Sequence, residues 1–235
     1  MSASRTDARL PVTALLLVLC AVLAGCSRAG SGSAERSPAS VLAAAKKQLD
    51  TTSGVRIGLS TPKLPAGVNG LLGATGIGTH APAFQGTIKV AANGFTADAD
   101  VVAVRGRVHA RLPFTKKFTV IDPADYGAPD PADLLAPEGG LSSLLTSATD
   151  VTSSGEVRDG KTVLRSYTGT VPGKAVRTVI PSASATADFD TTFTVGDQDR
   201  LAKAVLDGPF YPRGGDVTYT ITFDDYGTAK NIKAP

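Results

Sequence analysis

The chain has 235 residues, with 24 Lys and Arg against 21 Asp and Glu, for a net charge of +3. So balanced a surface carries no electrostatic footprint for nucleic acid, and no nucleic-acid partner is expected. Two cysteines and 42% hydrophobic residues point to one packed domain and exclude a disulfide scaffold.

Arg5 and Arg9 form a small basic start. An apolar run over residues 12–23 contains Leu15-Leu16-Leu17-Val18-Leu19 and ends at Leu23-Ala24-Gly25-Cys26. The run is shorter than the ~20 residues a spanning helix needs, and it has the parts of a cleaved export signal. Leu-Ala-Gly-Cys resembles the bacterial lipobox, in which the Cys thiol receives a diacylglyceryl group and cleavage leaves that Cys first. The expected organisation is a signal over 1–25, a lipidated Cys26 and tether over 26–38, and a single domain over 39–235. The protein is then held at the extracytoplasmic face of the cell membrane by its N-terminal lipid. Two or more acyl chains are needed for stable anchoring, at about 0.8 kcal/mol per buried methylene. Cys20 leaves with the signal and Cys26 is occupied, so no disulfide forms. Loss of Arg5, Asp7 and Arg9 lowers the net charge to about +2. The Ser-, Gly- and Ala-rich tether reaches roughly 20 Å.

Ser37-Pro38 supplies an N-cap hydroxyl and a proline at the first helical position. Val41, Leu42, Ala45 and Leu49 then share one face, which predicts a helix over 39–51. Residues 62–82, rich in Gly and Pro, resist assignment. Ile88, Val90 and Ala92 alternate with Thr87, Lys89 and Ala91 up to the turn Asn93-Gly94. Phe95, Ala97, Ala99 and Val101 follow the same period, as do Val108, Ala110 and Leu112 after Arg105-Gly106. The pattern predicts an antiparallel meander with one apolar and one charged face. Helical patterns are expected over 131–136, 141–148 and 174–180. Strands are expected over 189–195, 201–206 and from Val217 to Phe223, with 207–216 unassigned. The fold class is α+β: a large curved antiparallel sheet with a few helices on its concave face.

Gly155-Glu156-Val157-Arg158-Asp159-Gly160-Lys161-Thr162 satisfies the phosphate-loop pattern, which works only between a strand and a helix N-terminus. Strand-like sequence follows it, so a hairpin is expected and no nucleotide. His80 and His109 are the only histidines, and neither has the neighbours of a catalytic base or a metal ligand. No enzyme activity, metal or cofactor is implied. Asp122, Asp125, Asp130 and Asp133 read as a solvated acidic loop. Arg105, Arg107, Arg111, Lys116 and Lys117 form a basic cluster: the wet side of a sheet, or a contact with anionic headgroups. The small residues Ala92, Ala97, Ala99 and Ala110 leave two readings open, a cavity for an apolar ligand or a core filled by helices.

Several segments follow the order seen in one family. They are Gly86-Thr87-Ile88-Lys89-Val90, Ala97-Asp98-Ala99-Asp100-Val101-Val102, Asp130-Pro131-Ala132-Asp133-Leu134-Leu135, Gly139-Gly140-Leu141-Ser142-Ser143-Leu144-Leu145 and Asp159-Gly160-Lys161-Thr162. Behind a lipobox, this order resembles the LppX/LprA/LprF/LprG family of mycobacterial lipoproteins. The resemblance implies a half-barrel sheet enclosing a large apolar cavity. It also implies a carrier of acylated lipids or glycolipids through the cell envelope, in some members with a membrane exporter, and no enzymatic role. Acyl chains would then lie against Ile88, Val90, Phe95, Ala97, Ala99, Val108 and Ala110, covered by Leu134, Leu144, Leu145 and Ile180. The chain departs from the family pattern at 62–82 and 207–216.

Overall fold

The structure is a computed structural model and describes residues 36–235. Cys26, the expected export signal and nearly all of the expected tether lie outside the described residues. Helix α1 spans Pro38–Thr51; Ser37 Oγ accepts from Ser40 N, and Val41, Leu42, Ala45 and Leu49 are buried. An N-cap hydroxyl satisfies one of the donors that a helix start leaves free.

Eleven strands follow: β1 (Gly54–Ser60), β2 (Gly70–Thr79), β3 (Ala83–Ala92), β4 (Phe95–Val104), β5 (Arg107–Arg111), β6 (Thr119–Ile121), β7 (Thr149–Asp159), β8 (Thr162–Pro172), β9 (Asp188–Val195), β10 (Leu201–Gly208) and β11 (Val217–Asp224). They form one open sheet in the order β6-β5-β4-β3-β2-β1-β11-β10-β9-β8-β7. All its pairs are antiparallel. Hairpins make most connections locally, and the pairing of β1 with β11 joins the two halves at the centre. Asn93 and Gly94 both take positive φ (52° and 80°), as do Arg105 and Gly106 (56° and 67°). These are the two-residue turns whose twist matches paired strands.

The turns divide between two ends of the sheet. One end, the Asn93 end, carries the β3–β4 turn and the loops over 61–69, 112–118 and 209–216. The other carries the turns at Arg105-Gly106, Gly160-Lys161 and residues 196–200. Two short helices, α2 (Ser143–Ser147) and α3 (Gly173–Val179), join α1 on the inner face, together with a 3-10 turn over Pro131–Leu135. The 131–136 and 141–148 patterns thus appear as shorter elements, kept apart by Pro137 and Gly139-Gly140 between them.

Residues 62–82, unassigned from pattern, contain β2. The alternation is masked by glycines that packing requires. A Cβ on Gly76 would stand 2.4 Å from Phe84 Cζ and 2.7 Å from Gln85 O. Close approach of a ring and a backbone is a known use of strand glycine. Likewise 207–216 is the end of β10 followed by a loop in which Phe210 is 1% exposed.

The inner face has two apolar clusters. The larger packs α1, α2 and α3 on β1 and β8–β11, with Phe189, Phe193, Phe210, Tyr219 and Phe223 at its centre. Phe210 stands edge-on to both Phe189 and Tyr219, each with ring centroids 4.9 Å apart. The smaller joins Phe84, Val101, Ala103 and Val108 to Ala132 of the 3-10 turn. On the outer face Ile232 of the C-terminal tail covers Ala83 and Val102.

Candidate functional site

Directly paired residues share a face, so register places the inner side of β1–β4. Ile88 pairs with Ala99, Val90 with Ala97 and Ala92 with Phe95. Ala74 pairs with Ile88 and Leu71 with Val90, while Leu59 pairs with Ala74. Burial falls along this face toward the Asn93 end. On β4 it runs from Ala103 at 0% exposure through Val101 at 2% and Ala99 at 4% to a half-buried Ala97 and Phe95 at 79%. On β3, Phe84 is buried, Ile88 and Val90 are half-buried, and Ala92 is exposed. On β1, Val55 and Ile57 are buried and Leu59 is half-buried.

The helices cause this gradient. Ala132 and Leu135 reach the Arg105 end of β1–β4, where Leu135 Cδ1 lies 3.1 Å from the position of a Cβ on Gly78. Toward the Asn93 end the same face is left half-covered. Leu59, Leu71, Ala74, Ile88, Val90 and Ala97 form a half-buried apolar strip there, called the trough below, and no charged side chain belongs to it.

A hydrogen-bonded ring closes one side of the trough. β2 has an irregular register between Leu71 and Gly73. The Leu71 N–H donates to the Tyr211 hydroxyl at 3.3 Å, and the Tyr219 hydroxyl donates to the Leu71 carbonyl at 2.6 Å. The two tyrosine oxygens are 2.7 Å apart, so Tyr211 donates to Tyr219 and the circuit is complete. Burial, reinforced by the bond with Tyr211, pushes the Tyr219 hydroxyl far above the ordinary tyrosine range. Nothing in the sequence pattern marked Tyr211 for this role.

The expected lining residues fall in four places. Ile88, Val90 and Ala97 lie in the trough. Ala99, Val108 and Ala110 are on the same face but already buried, at 4%, 4% and 2% exposure. Phe95 projects from the hairpin. Leu144 and Leu145, each 2% exposed, belong to the main cluster over β8–β11, against which Leu134 and Ile180 also pack. They do not cover β3–β5 as expected; Ala132 does, because the turn over Pro131–Leu135 reaches β2, β3 and β4. Leu59 of β1 and Leu71 and Ala74 of β2 were missed because neither strand was assigned from the sequence pattern.

The other motifs have plain structural uses. Asp159 pairs with Thr162 in the β7–β8 hairpin, so the phosphate-loop pattern has no helix behind it. Asp122 accepts from Ala124 N and Asp130 from Ala132 N, capping their turns. His80 Nε2 is 2.9 Å from Leu49 O. His109 pairs with Val102 on the outer face. On that face Arg111 bonds Asp100, and its guanidinium holds the Asp100 carboxyl below the usual carboxylate range. Among the described residues no group of three or more His, Cys, Asp or Glu is placed to hold a metal.

Two cavities lie away from the trough. One of about 820 Å³ sits on the outer face between Ala83, Val104 and Ile232. The other, about 470 Å³, lies beside the start of α1 and is lined by Arg36, Arg165, Tyr167 and Asp199.

Comparison with known proteins agrees with this architecture. Residues 37–232 match the model of the LppX_LprAFG lipoprotein family. The chain is 27% identical over 242 residues to the lipoarabinomannan carrier protein LprG of Mycobacterium tuberculosis, covering 97% of this chain and 95% of the relative. It is 28% identical over 241 residues to the protein of the same name from Mycolicibacterium smegmatis, covering 94% of each. The fold is shared with LprF from Mycobacterium bovis (TM-score 0.67, 16% identity, covering 84% of this chain and 96% of that one). It is shared also with Mycobacterium tuberculosis LppX (TM-score 0.61, 15% identity, covering 84% of this chain and 100% of that one). The family is one of non-enzymatic lipoproteins, and this chain belongs to it.

Proposed function

We propose that the protein is a membrane-anchored carrier, acylated at Cys26 on the extracytoplasmic face, which shields the acyl chains of a lipid or glycolipid in the trough. The supporting observation is the half-covered floor of Leu59, Leu71, Ala74, Ile88, Val90 and Ala97. A contiguous apolar patch that the protein does not cover itself marks a binding surface. Each lipid methylene taken from water contributes about 0.8 kcal/mol without directional chemistry, which suits a carrier that must release its cargo. Relatives named as lipoarabinomannan carriers point to an acylated glycolipid as the cargo class.

The test is mass spectrometry under native conditions on a soluble form beginning at Ser27. A heterogeneous lipid mass on the protein is expected, and a bare protein mass would refute the carrier reading. The filled half of the inner face, where rings and helices pack solidly over β8–β11, favours a second reading: an envelope scaffold that holds no lipid. The bare mass is its signature.

A further inference from the structure

The loop between β5 and β6 exposes large apolar side chains without need. Phe114 is 108% exposed and Leu112 is 54% exposed. Thr115 N donates to Leu112 O at 3.2 Å, and Thr115 Oγ1 donates to the same carbonyl at 2.7 Å. Residues 112–115 therefore form a tight turn with Pro113 second and Phe114 third. Phe114 has φ +64°. A turn with proline second and positive φ third selects glycine at that third position. Here a phenylalanine takes a backbone conformation that disfavours it, and its ring contributes nothing to the core. Folding alone does not explain that choice.

The surroundings identify a partner. Lys116 and Lys117 follow directly, both exposed, and neither is in an ion pair among the described residues. No acidic residue occurs between Val101 and Ile121; Arg111 at this end is engaged with Asp100, and Arg105 and Arg107 lie at the other end. At the same end of the sheet stands Phe95, 79% exposed beside the Asn93-Gly94 turn. Aromatic rings on a projecting turn with lysines behind them match the two layers of an anionic bilayer: acyl boundary for the ring, headgroups for the ammonium groups.

We propose that the turn over residues 112–115 is a membrane-docking element that inserts Phe114 into the interface of an anionic lipid surface while Lys116 and Lys117 meet its headgroups. The trough opens at this same end, so docking brings its mouth to the bilayer. The docking itself needs no lipid in the trough, and the two are measured separately.

Arg36–Pro235 forms one compact unit with its own apolar clusters, so a soluble form beginning at Ser27 can be tested without acylation. Its partition onto vesicles of phosphatidylglycerol and phosphatidylcholine is compared with partition onto phosphatidylcholine alone. Binding is expected to need the anionic lipid and to weaken with salt. Phe114→Gly removes the ring and suits the turn. It should lower partition by about tenfold to a hundredfold while thermal stability stays equal or rises. Replacing Lys116 and Lys117 by Gln should cost about fivefold each. Lipid loading, read by native mass spectrometry, should be unchanged in all of these variants. Wild-type protein that does not bind anionic vesicles, or Phe114→Gly protein that binds as well as wild type, would overturn the proposal, whatever the loading result.

Discussion

The Tyr219 hydroxyl donates to the Leu71 carbonyl at 2.6 Å across the intervening strand β1. With Tyr211 it forms a closed circuit that begins and ends on the Leu71 peptide groups. The bond fixes the irregular stretch of β2 at the side of the trough and ties the loop after β10 to it. Tyr219→Phe keeps the ring and removes the donor. We expect a loss of about 1 kcal/mol, seen as a lower melting temperature. A double-mutant cycle with Tyr211→Phe should show strong coupling; additive losses would contradict the circuit.

The same groups set an alkaline limit. Burial raises the hydroxyls of both Tyr219 and Tyr226 above the ordinary value of 10.0; the latter donates to Leu201 O at 2.8 Å. A raised folded pKa means the native state keeps its proton after the unfolded state has lost it. Their stability contribution is therefore complete below pH 10 and declines as pH rises above it, by at most about 1.4 kcal/mol per pH unit for each group. Denaturant unfolding between pH 9 and 11 checks this. Tyr219→Phe should flatten the slope.

Ala97→Trp places a large ring on the open part of the trough floor. Ala97 is half-buried with a half-buried partner, Val90, so the fold should tolerate it. Lipid loading should fall several-fold, measured as the bound fraction in native mass spectrometry. Thr96→Trp, one residue along on the other face, should leave loading unchanged. Equal loading in the two variants would place the cargo elsewhere.

Two glycines of β2 should differ in cost. At Gly76 an added Cβ meets both the Phe84 ring and the Gln85 carbonyl, whereas at Gly78 it meets the Leu135 side chain at 3.1 Å. A side chain can give way more easily than a backbone. Gly76→Ala is expected to destabilise by about 3 kcal/mol, at the upper end of overpacking costs, and Gly78→Ala by about 1 kcal/mol. Chemical denaturation of both variants decides the order.

Asp50 near the end of α1 accepts from Lys46 Nζ at 2.7 Å and from Ser142 Oγ at 2.5 Å. Ser142 is 1% exposed, so this bond ties α1 to the start of α2 in a shielded place. Ser142→Ala should cost about 1–2 kcal/mol, read as a shift in the denaturation midpoint without a change in slope.

Local chemistry determined much of this protein before any folding was considered. Ser37-Pro38 starts a helix, Asn93-Gly94 and Arg105-Gly106 turn hairpins, and a period of two between Ile88 and Ala110 separates an apolar from a charged face. Each signal acts within a few residues, so the sequence alone displays it. The order of the family's segments was legible for the same reason. Only the tertiary structure decided what lies over that apolar face. Leu144 and Leu145 carry the same apolar character as Leu135, yet chain path takes them to β8–β11 and leaves β3–β4 half-covered. Strand β2 was hidden because Gly76 and Gly78 answer to Phe84 and Leu135, neighbours set by the tertiary fold and not by sequence spacing. The trough exists because the helices run out before the sheet does, a difference of lengths in space that no local pattern records.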